Sequence, residues 1–367
     1  MAFSASTRHL LRRHFSTSTT TTTTTTTSTI PESTIAIVRH LARKGEASRI
    51  NSILSPLVTA SPPPSDTTLA SILFLYSSSG MLTEALDAFS KHPSPSTAAL
   101  NALLAPLNRH SRDLSRQIPS LFTSLPASKS IEPDRSTYGI LIKSLCLSGG
   151  GAEKALPVLK EMEEKNILPD VVVYTTIIDS FYKQGMPQRA EEVWKEMCAK
   201  GIVPDLTAYN VKAMYKSKHG KPEDLVELIS EIEAANLKPD VITYNYLINS
   251  YCAHGKFDEA MAVFKGLEEK GCVPNYGTCK YFISFLCKKG KIDDAREVFD
   301  EGLKRGTVPD LNTVKLLVKG LMKDDKKRAA KRVVTGLKHK FPKEFVGNWK
   351  QLQKLVGLSE GEESDTD

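Results

Sequence analysis

Six cysteines, eight histidines and one dense run of cations are the residues of this 367-residue chain whose types could define a chemical site. A zinc site built on close cysteine pairs is not indicated, because no C-x-x-C pair occurs and even Cys272 and Cys279 are separated by six residues. Cys146, Cys252 and Cys287 instead share one phase, with a step of 35 from Cys252 to Cys287, so they read as small packing residues. His219 and His254 are also 35 apart and each directly precedes a glycine, which makes them turn residues. No Ser/His/Asp set, Gly-rich phosphate loop or carboxylate pair suited to acid–base work stands out. These absences argue against an enzyme and imply no cofactor, no metal and no small-molecule substrate. The cations are different. Lys323, Lys326, Lys327, Arg328, Lys331 and Arg332 fall within ten residues, followed by Lys338, Lys340 and Lys343. Their chemistry is contact with phosphates, which is sequence-independent and salt-sensitive, or simply solvation of a helix face.

The charge is unevenly placed. The net formal charge is +7, yet 315–354 holds 13 Lys/Arg against three acids, 355–367 holds five acids and no base, and the long middle of the chain is near neutral. Met1–Ile30 carries Arg8, Arg12 and Arg13, no acid and a long Ser/Thr tract. That is the composition of an organelle presequence, with Arg13-His14-Phe15-Ser16 resembling a mitochondrial processing site cut after Phe15. Mitochondrion is favoured over chloroplast. The uncharged Thr run and the acidic 359–367 tail are expected to be disordered. No run of 18 apolar residues occurs, so no membrane insertion is expected.

The elements that must position these groups come from a repeat. Leu206–Asp240 and Val241–Asn275 align without gaps, matching at Tyr209/Tyr244, Asn210/Asn245, Gly220/Gly255 and Pro239/Pro274. Pro133, Pro169, Pro204, Pro239, Pro274 and Pro309 advance by 36, 35, 35, 35 and 35 residues, the longer step reflecting the glycines at 149–151. A fixed period of this length indicates stacked supersecondary units. In Val241–Asn275, Tyr244, Leu247, Ile248 and Tyr251 make one apolar helical stripe that Gly255 ends. Ala260, Val263, Phe264 and Leu267 make a second, expected to run to Gly271, with Pro274 forbidding continuation. Each helix of roughly a dozen residues is marginal alone, so the hairpins must stack to hide their apolar faces. The expected organisation is a presequence with disordered segment (1–30), three degenerate repeats (31–65, 66–96, 97–134), five regular ones (135–170, 171–205, 206–240, 241–275, 276–310), a basic repeat (311–345), a capping helix (346–358) and an acidic tail (359–367). The repeat 97–134 carries an insertion after a first helix read as TAALNALLAPL.

The pattern V-x-T-Y-N-x-L-I-x-x-x-C-x-x-G, closing on G-x-x-P-D/N, stands here from Val241-Ile242-Thr243-Tyr244-Asn245 to Pro274-Asn275 and resembles the pentatricopeptide repeat. The resemblance covers about 30–345, and its even 35-residue steps are similar to the P class. It implies an all-α, right-handed solenoid of about nine helix-turn-helix repeats that reads single-stranded RNA at one base per repeat. It further implies that the fifth and last residues of a repeat bond the base edge while the second packs on the base face. Asn101/Asp134, Thr175/Asp205, Asn210/Asp240 and Asn245/Asn275 match that role, with preferences of roughly U, G, U and C or U. Val172, Thr207 and Ile242 take the packing position. Gly139 has no side chain to read with, and Lys280 and Lys315 put a point charge where a polar reader belongs, better suited to phosphate. Lys326, Lys327, Arg328, Lys331 and Arg332 extend that phosphate set. The Asn, Thr and Asp residues also suit helix caps and turns, so the two roles stay open.

The H-x-E and C-x-x-C zinc chemistry of a deaminase extension is missing, and no length remains for a metallonuclease domain. The expected function is therefore non-catalytic RNA binding in mitochondrial gene expression. With few readers and a basic end, and with YGILIKSLC and TYNYLINSYC similar to short plant mitochondrial relatives, the leading expectation is a scaffold in the small subunit of the mitochondrial ribosome, touching ribosomal RNA and other mitochondrial ribosomal proteins. The alternative is a free factor that binds a mitochondrial transcript for stabilisation, splicing or translation.

Overall fold

The computed structural model describes residues 30–148, 151–307, 310–341 and 349–357. The presequence region, the glycines at 149–150, Pro309 and the acidic tail lie outside them. Every regular element among the described residues is helical. They fall into two compact bodies, Ser18–Val211 and Lys212–Asp367.

Within each body the helices come in antiparallel pairs, and the pairs stack. In the N-terminal body Arg135–Leu147 packs on Thr97–Leu104 before it and on Val171–Lys183 after it, while Val171–Lys183 also packs on its own partner, Pro187–Ala199. In the C-terminal body Val241–Ala253, Tyr276–Lys288 and Leu311–Lys323 form the same succession of first helices. Phe257–Lys265, Ile292–Lys304 and Lys327–Lys340 are their partners, and Trp349–Val356 covers the last pair. The stripes read from sequence are the buried faces: Tyr244, Leu247 and Ile248 are 3%, 5% and 2% exposed, and Ala260 and Phe264 lie opposite them. An aromatic residue of one second helix meets the next first helix at Phe122/Tyr138, Trp194/Tyr209 and Phe264/Phe282, with centroids 5.1, 5.2 and 5.7 Å apart. Such contacts glue successive hairpins together.

Two devices set the ends of the helices. First helices close on a left-handed residue: Gly255 has φ +73°, its N–H reaches Cys252 O at 3.1 Å, and Lys256 N–H reaches Tyr251 O at 2.9 Å. Gly185 and Gly290 repeat the geometry, and Asn166 and Asn236 adopt it at the ends of second helices. First helices open on a side-chain cap. Ser65, Ser96, Asp134, Asp170, Asp205, Asp240, Asn275 and Asp310 each accept a hydrogen bond from the backbone N–H three residues on, at 2.8–3.3 Å.

Two expectations are corrected. The second helix of the 241–275 repeat stops at Lys265, six residues before Gly271, and turns follow. Gly266 has the backbone freedom that weakens a helix interior, although Gly271 still closes the turn with φ +70°. The TAALNALLAPL helix ends at Leu104, because Pro106 lacks the N–H that its continuation requires. The rest of that repeat breaks into Leu107–His110, Arg112–Ser115 and Ile118–Lys129.

Gly255→Ala meets no atom within 4 Å, so its cost is backbone strain alone. We expect a loss of about 1 kcal/mol, read as a lower urea midpoint at unchanged slope.

Candidate nucleic-acid interface

In two places a fifth residue meets the cap residue of the following helix, at Asn101/Asp134 and Lys280/Asp310. Asp134 Oδ1 accepts from Thr137 N–H (2.8 Å) and Oγ1 (2.8 Å) and also from Asn101 Nδ2 (3.0 Å). Partial burial pushes this carboxyl up, but those bonds outweigh it and hold it below the ordinary carboxylate range. The expected pair Asn101/Asp134 is thus brought together at the helix cap. Asn275 Oδ1 accepts from Thr278 N–H (3.0 Å) and Oγ1 (3.1 Å). Because the backbone amide is a donor, Oδ1 must face it, and the Asn275 NH₂ turns the other way with no acceptor among the described residues. Asp205 likewise gives Oδ1 to Ala208 N–H at 2.8 Å. Asp240 Oδ1 accepts from Ile242 and Thr243.

The fifth positions carry the more telling feature. Asn101 Oδ1, Thr175 Oγ1 and Asn245 Oδ1 are buried atoms with no hydrogen-bond partner among the described residues. A buried polar atom left unpaired costs about 1–3 kcal/mol, so such atoms are few in folded proteins and call for an explanation. Among the described residues three of the six such atoms share the fifth position of the repeat, the others being Ser77 Oγ, His92 Nδ1 and Ser250 Oγ. Asn210 occupies the same register and is 5% exposed. Of the packing positions, Val172 is 52% exposed, a large apolar side chain turned to solvent, while Thr207 and Ile242 are half-buried.

The lysine positions divide. Lys280 is not the free point charge expected. Its Nζ lies 2.6 Å from Asp310 Oδ2, an oxygen that also accepts from Tyr276 Oη at 3.2 Å. Lys326 is held by Asp293 at 2.7 Å, and Lys327 lies 3.4 Å from Asp325. Lys315 donates to the neutral Gln351 Oε1 at 2.7 Å, not to an acid. Arg328, Lys331 and Arg332 have no carboxylate within 4.0 Å among the described residues. Lys327–Lys340 also breaks a local rule. It opens with Lys327 and Arg328 where the neighbouring second helices open with Asp258 and Glu259 or Asp293 and Asp294. Cations at the positive end of a helix dipole are unfavourable, unless an anion is to be bound there.

Sequence reasoning missed Tyr276 and Asp310 as partners of Lys280, and Asp293 as the partner of Lys326. The Tyr276–Lys280 spacing of four residues was the available signal, since it brings a ring and a cation onto one helix face. Five of the six cysteines are buried or half-buried and behave as packing residues, while Cys198 is exposed; burial pushes the Cys146 thiol to about 11 and those of Cys252 and Cys287 to about 12.

Models of the pentatricopeptide repeat match residues 169–211, 235–268 and 278–307. The chain contains pentatricopeptide repeats. It is 35% identical over 159 residues to a mitochondrial pentatricopeptide repeat-containing protein of Arabidopsis thaliana, covering 42% of this chain and 37% of that one. It is 40% identical over 89 residues to the Arabidopsis small ribosomal subunit protein mL103, covering 24% of this chain and 20% of mL103. The Arabidopsis small ribosomal subunit protein mS79 is 36% identical over 104 residues, 27% of this chain and 25% of mS79. The chain therefore spans well under half the length of these relatives. Among solved structures, maize pentatricopeptide protein PPR10 matches with a TM-score of 0.51 at 20% identity, over 85% of this chain and 47% of PPR10. PPR10 in complex with an 18-nt psaJ RNA element matches with a TM-score of 0.57 at 19% identity, over 89% and 53%. At that identity the likeness is one of fold, the α-solenoid of paired helices.

Partial burial raises the Asp310 carboxyl, yet the Lys280 and Thr313 bonds outweigh it and bring it down from 3.8 to about 2. A depressed pKa stabilises the fold above the unfolded value and loses that effect as pH falls through the folded one. The stability difference between the wild type and Lys280→Met should thus be whole at pH 5 and close as pH falls from 3.8 to about 2. Urea melts across that window measure it.

Proposed function

We propose that this chain is a non-catalytic protein that binds single-stranded RNA in mitochondria, with the repeats reading bases and the C-terminal helices holding phosphates. The observation that carries this reading is the set of unpartnered polar atoms at Asn101, Thr175 and Asn245, one register of the repeat. A base edge is the ligand that would satisfy them: it supplies donors and acceptors in a plane and is absent from the free protein. Thr175 with Asp205 and Asn245 with Asn275 are the two most open reading pairs, and Asn101/Asp134 and the positions Asn210 and Asp240 join them as candidates. Val172, Thr207 and Ile242 take the packing role. Arg328, Lys331, Arg332 and Lys315 are the phosphate contacts, whereas Lys280, Lys326 and Lys327 are already engaged with acids. Met1–Ile30 is read as a mitochondrial presequence, in keeping with the relative named as mitochondrial.

We assign the protein to the small subunit of the mitochondrial ribosome, as a scaffold on ribosomal RNA and neighbouring ribosomal proteins. The support is the relatives named as small ribosomal subunit proteins, together with a short reading track and a strongly basic end. Open reading atoms favour the second reading, a free factor for a mitochondrial transcript, because a scaffold held by phosphates alone has no need of them.

Selection from a random single-stranded RNA pool tests the binding. Asn245→Ala and Thr175→Ala should each flatten base preference at one position, a loss of roughly 1–3 kcal/mol of discrimination. Replacing Arg328, Lys331 and Arg332 by Ala should weaken all sequences alike and reduce the salt slope by about 0.7 for each phosphate no longer neutralised. No enrichment of any RNA would sink the reading. Sedimentation of a mitochondrial lysate with and without magnesium separates the two settings. The scaffold migrates with the intact ribosome and then with the small subunit, whereas a free factor stays in light fractions.

A further inference from the structure

The repeat at 276–310 departs from its neighbour in a way that reading one residue at a time does not reveal. In the 241–275 repeat, Asn245 offers an unpartnered acceptor and Asn275 offers donors with no acceptor among the described residues. One repeat on, the corresponding residues are Lys280 and Asp310, and they are tied to each other. Asp310 Oδ1 caps Thr313 at 2.9 Å, and Oδ2 is shared between Lys280 Nζ at 2.6 Å and Tyr276 Oη at 3.2 Å. Lys280 has donors only, so a base that needs an acceptor must first separate the ion pair. Tyr276 sits at the first position of the repeat, where the repeats opening at 171, 206, 241 and 311 have Val or Leu, and the residue is 47% exposed. Its Oη is tied to Asp310, and Lys280 Nζ lies 5.5 Å from the ring centroid. The ring is therefore held beside the fifth and last residues of the repeat, and the residue is half exposed.

We propose that Tyr276, Lys280 and Asp310 together make a stacking platform in which the 276–310 repeat holds a nucleotide of any identity instead of reading it. The inference rests on the single-stranded RNA reading above and adds that base selection is interrupted after Asn245/Asn275. An aromatic ring accepts every base, because every base has a π-face, whereas a polar pair closed by its own ion pair discriminates none. The cation against the ring also favours a stacked nucleotide with its phosphate close by. The platform is thus a place where affinity is gained without specificity, next to a place where specificity is gained.

The test is base preference from a random-sequence single-stranded RNA pool, scored at the nucleotide adjacent to the one whose preference Asn245→Ala erases. The wild type should show no preference there beyond about twofold. Lys280→Asn, which keeps the Asp310 cap, should create a preference of about fivefold or more at that nucleotide alone. Tyr276→Leu should weaken binding about tenfold for all four bases, and Tyr276→Phe, which keeps the ring, should lose far less. Because Tyr276 opens a helix, thermal melts of both variants show that the fold is intact. A wild type that already discriminates fivefold at that nucleotide overturns the platform while leaving RNA reading in place. So does a folded Tyr276→Leu that binds like the wild type, or a Lys280→Asn that stays indifferent to base. A wild type that enriches no RNA overturns the underlying reading as well, and is seen before any variant is scored.

Discussion

The side-chain cap at the head of each first helix is the constraint on which the rest of this protein depends. A helical hairpin of this length is marginal by itself, and its first helix begins directly after a proline or serine turn that ends the preceding pair. A carboxylate, amide or hydroxyl oxygen at that point satisfies an orphan backbone N–H, fixes where the helix starts and, through it, which residues face the neighbour. In the repeats that open at 135, 241 and 276, a threonine three residues on returns the bond to the cap's own N–H, so the junction is locked from both sides. With the start fixed, Tyr138, Tyr174 and Tyr244 fall on the buried face. Tyr138 then reaches Glu161, and Tyr174 reaches Glu163 and Glu196, on the second helices. Lys200 bridges Glu163 and Glu196, and Arg305 joins Glu268 and Glu301, so the same edge carries ion pairs from one hairpin to the next.

The cap also creates the site. It engages one atom of a two-headed side chain and thereby aims the other. Where the capping residue is Asn275 the remaining atom is a donor; where it is Asp205, an acceptor; where it is Asp310, the remaining oxygen is taken by Lys280 and Tyr276. On the proposed RNA reading, structural and functional roles are therefore not alternatives at these positions. The interaction that holds the helix also holds the reading group in its orientation, so little conformational entropy remains to be lost when a ligand arrives.

Electrostatics follow a different logic at the C-terminal end. Lys340 donates to Lys304 O at 2.8 Å, capping the carbonyl end of the helix before it, and Lys326 is held by Asp293. These two cations are part of the fold. Among the described residues, Arg328, Lys331 and Arg332 stand apart from any acid on a helix whose first turn is basic, an arrangement that costs stability in the free protein. Local rules broken without a compensating contact are the mark of a surface shaped for something other than folding.

The sequence by itself determined the repeat. The 35-residue spacing, the apolar stripes, the glycine and proline stops and the polar residue before each first helix are local features, set by backbone sterics and the helical period, and they emerged as read. Even the two corrected helix ends had local causes, at Gly266 and Pro106. The resemblance of the repeat also supplied the candidate reading positions. What the sequence could not give was the state of each side chain, because that depends on residues some 30 positions away. Lys280 lies beside Asp310, and Lys326 beside Asp293, only because stacking carries the chain back past itself at each turn. Asn245 keeps an unpartnered oxygen while Asp310 keeps none, although the two repeats look equivalent in pattern. Charge pairing and hydrogen-bond satisfaction are pairwise properties of neighbours in space, so the tertiary structure alone decided which repeats stand open and which are closed.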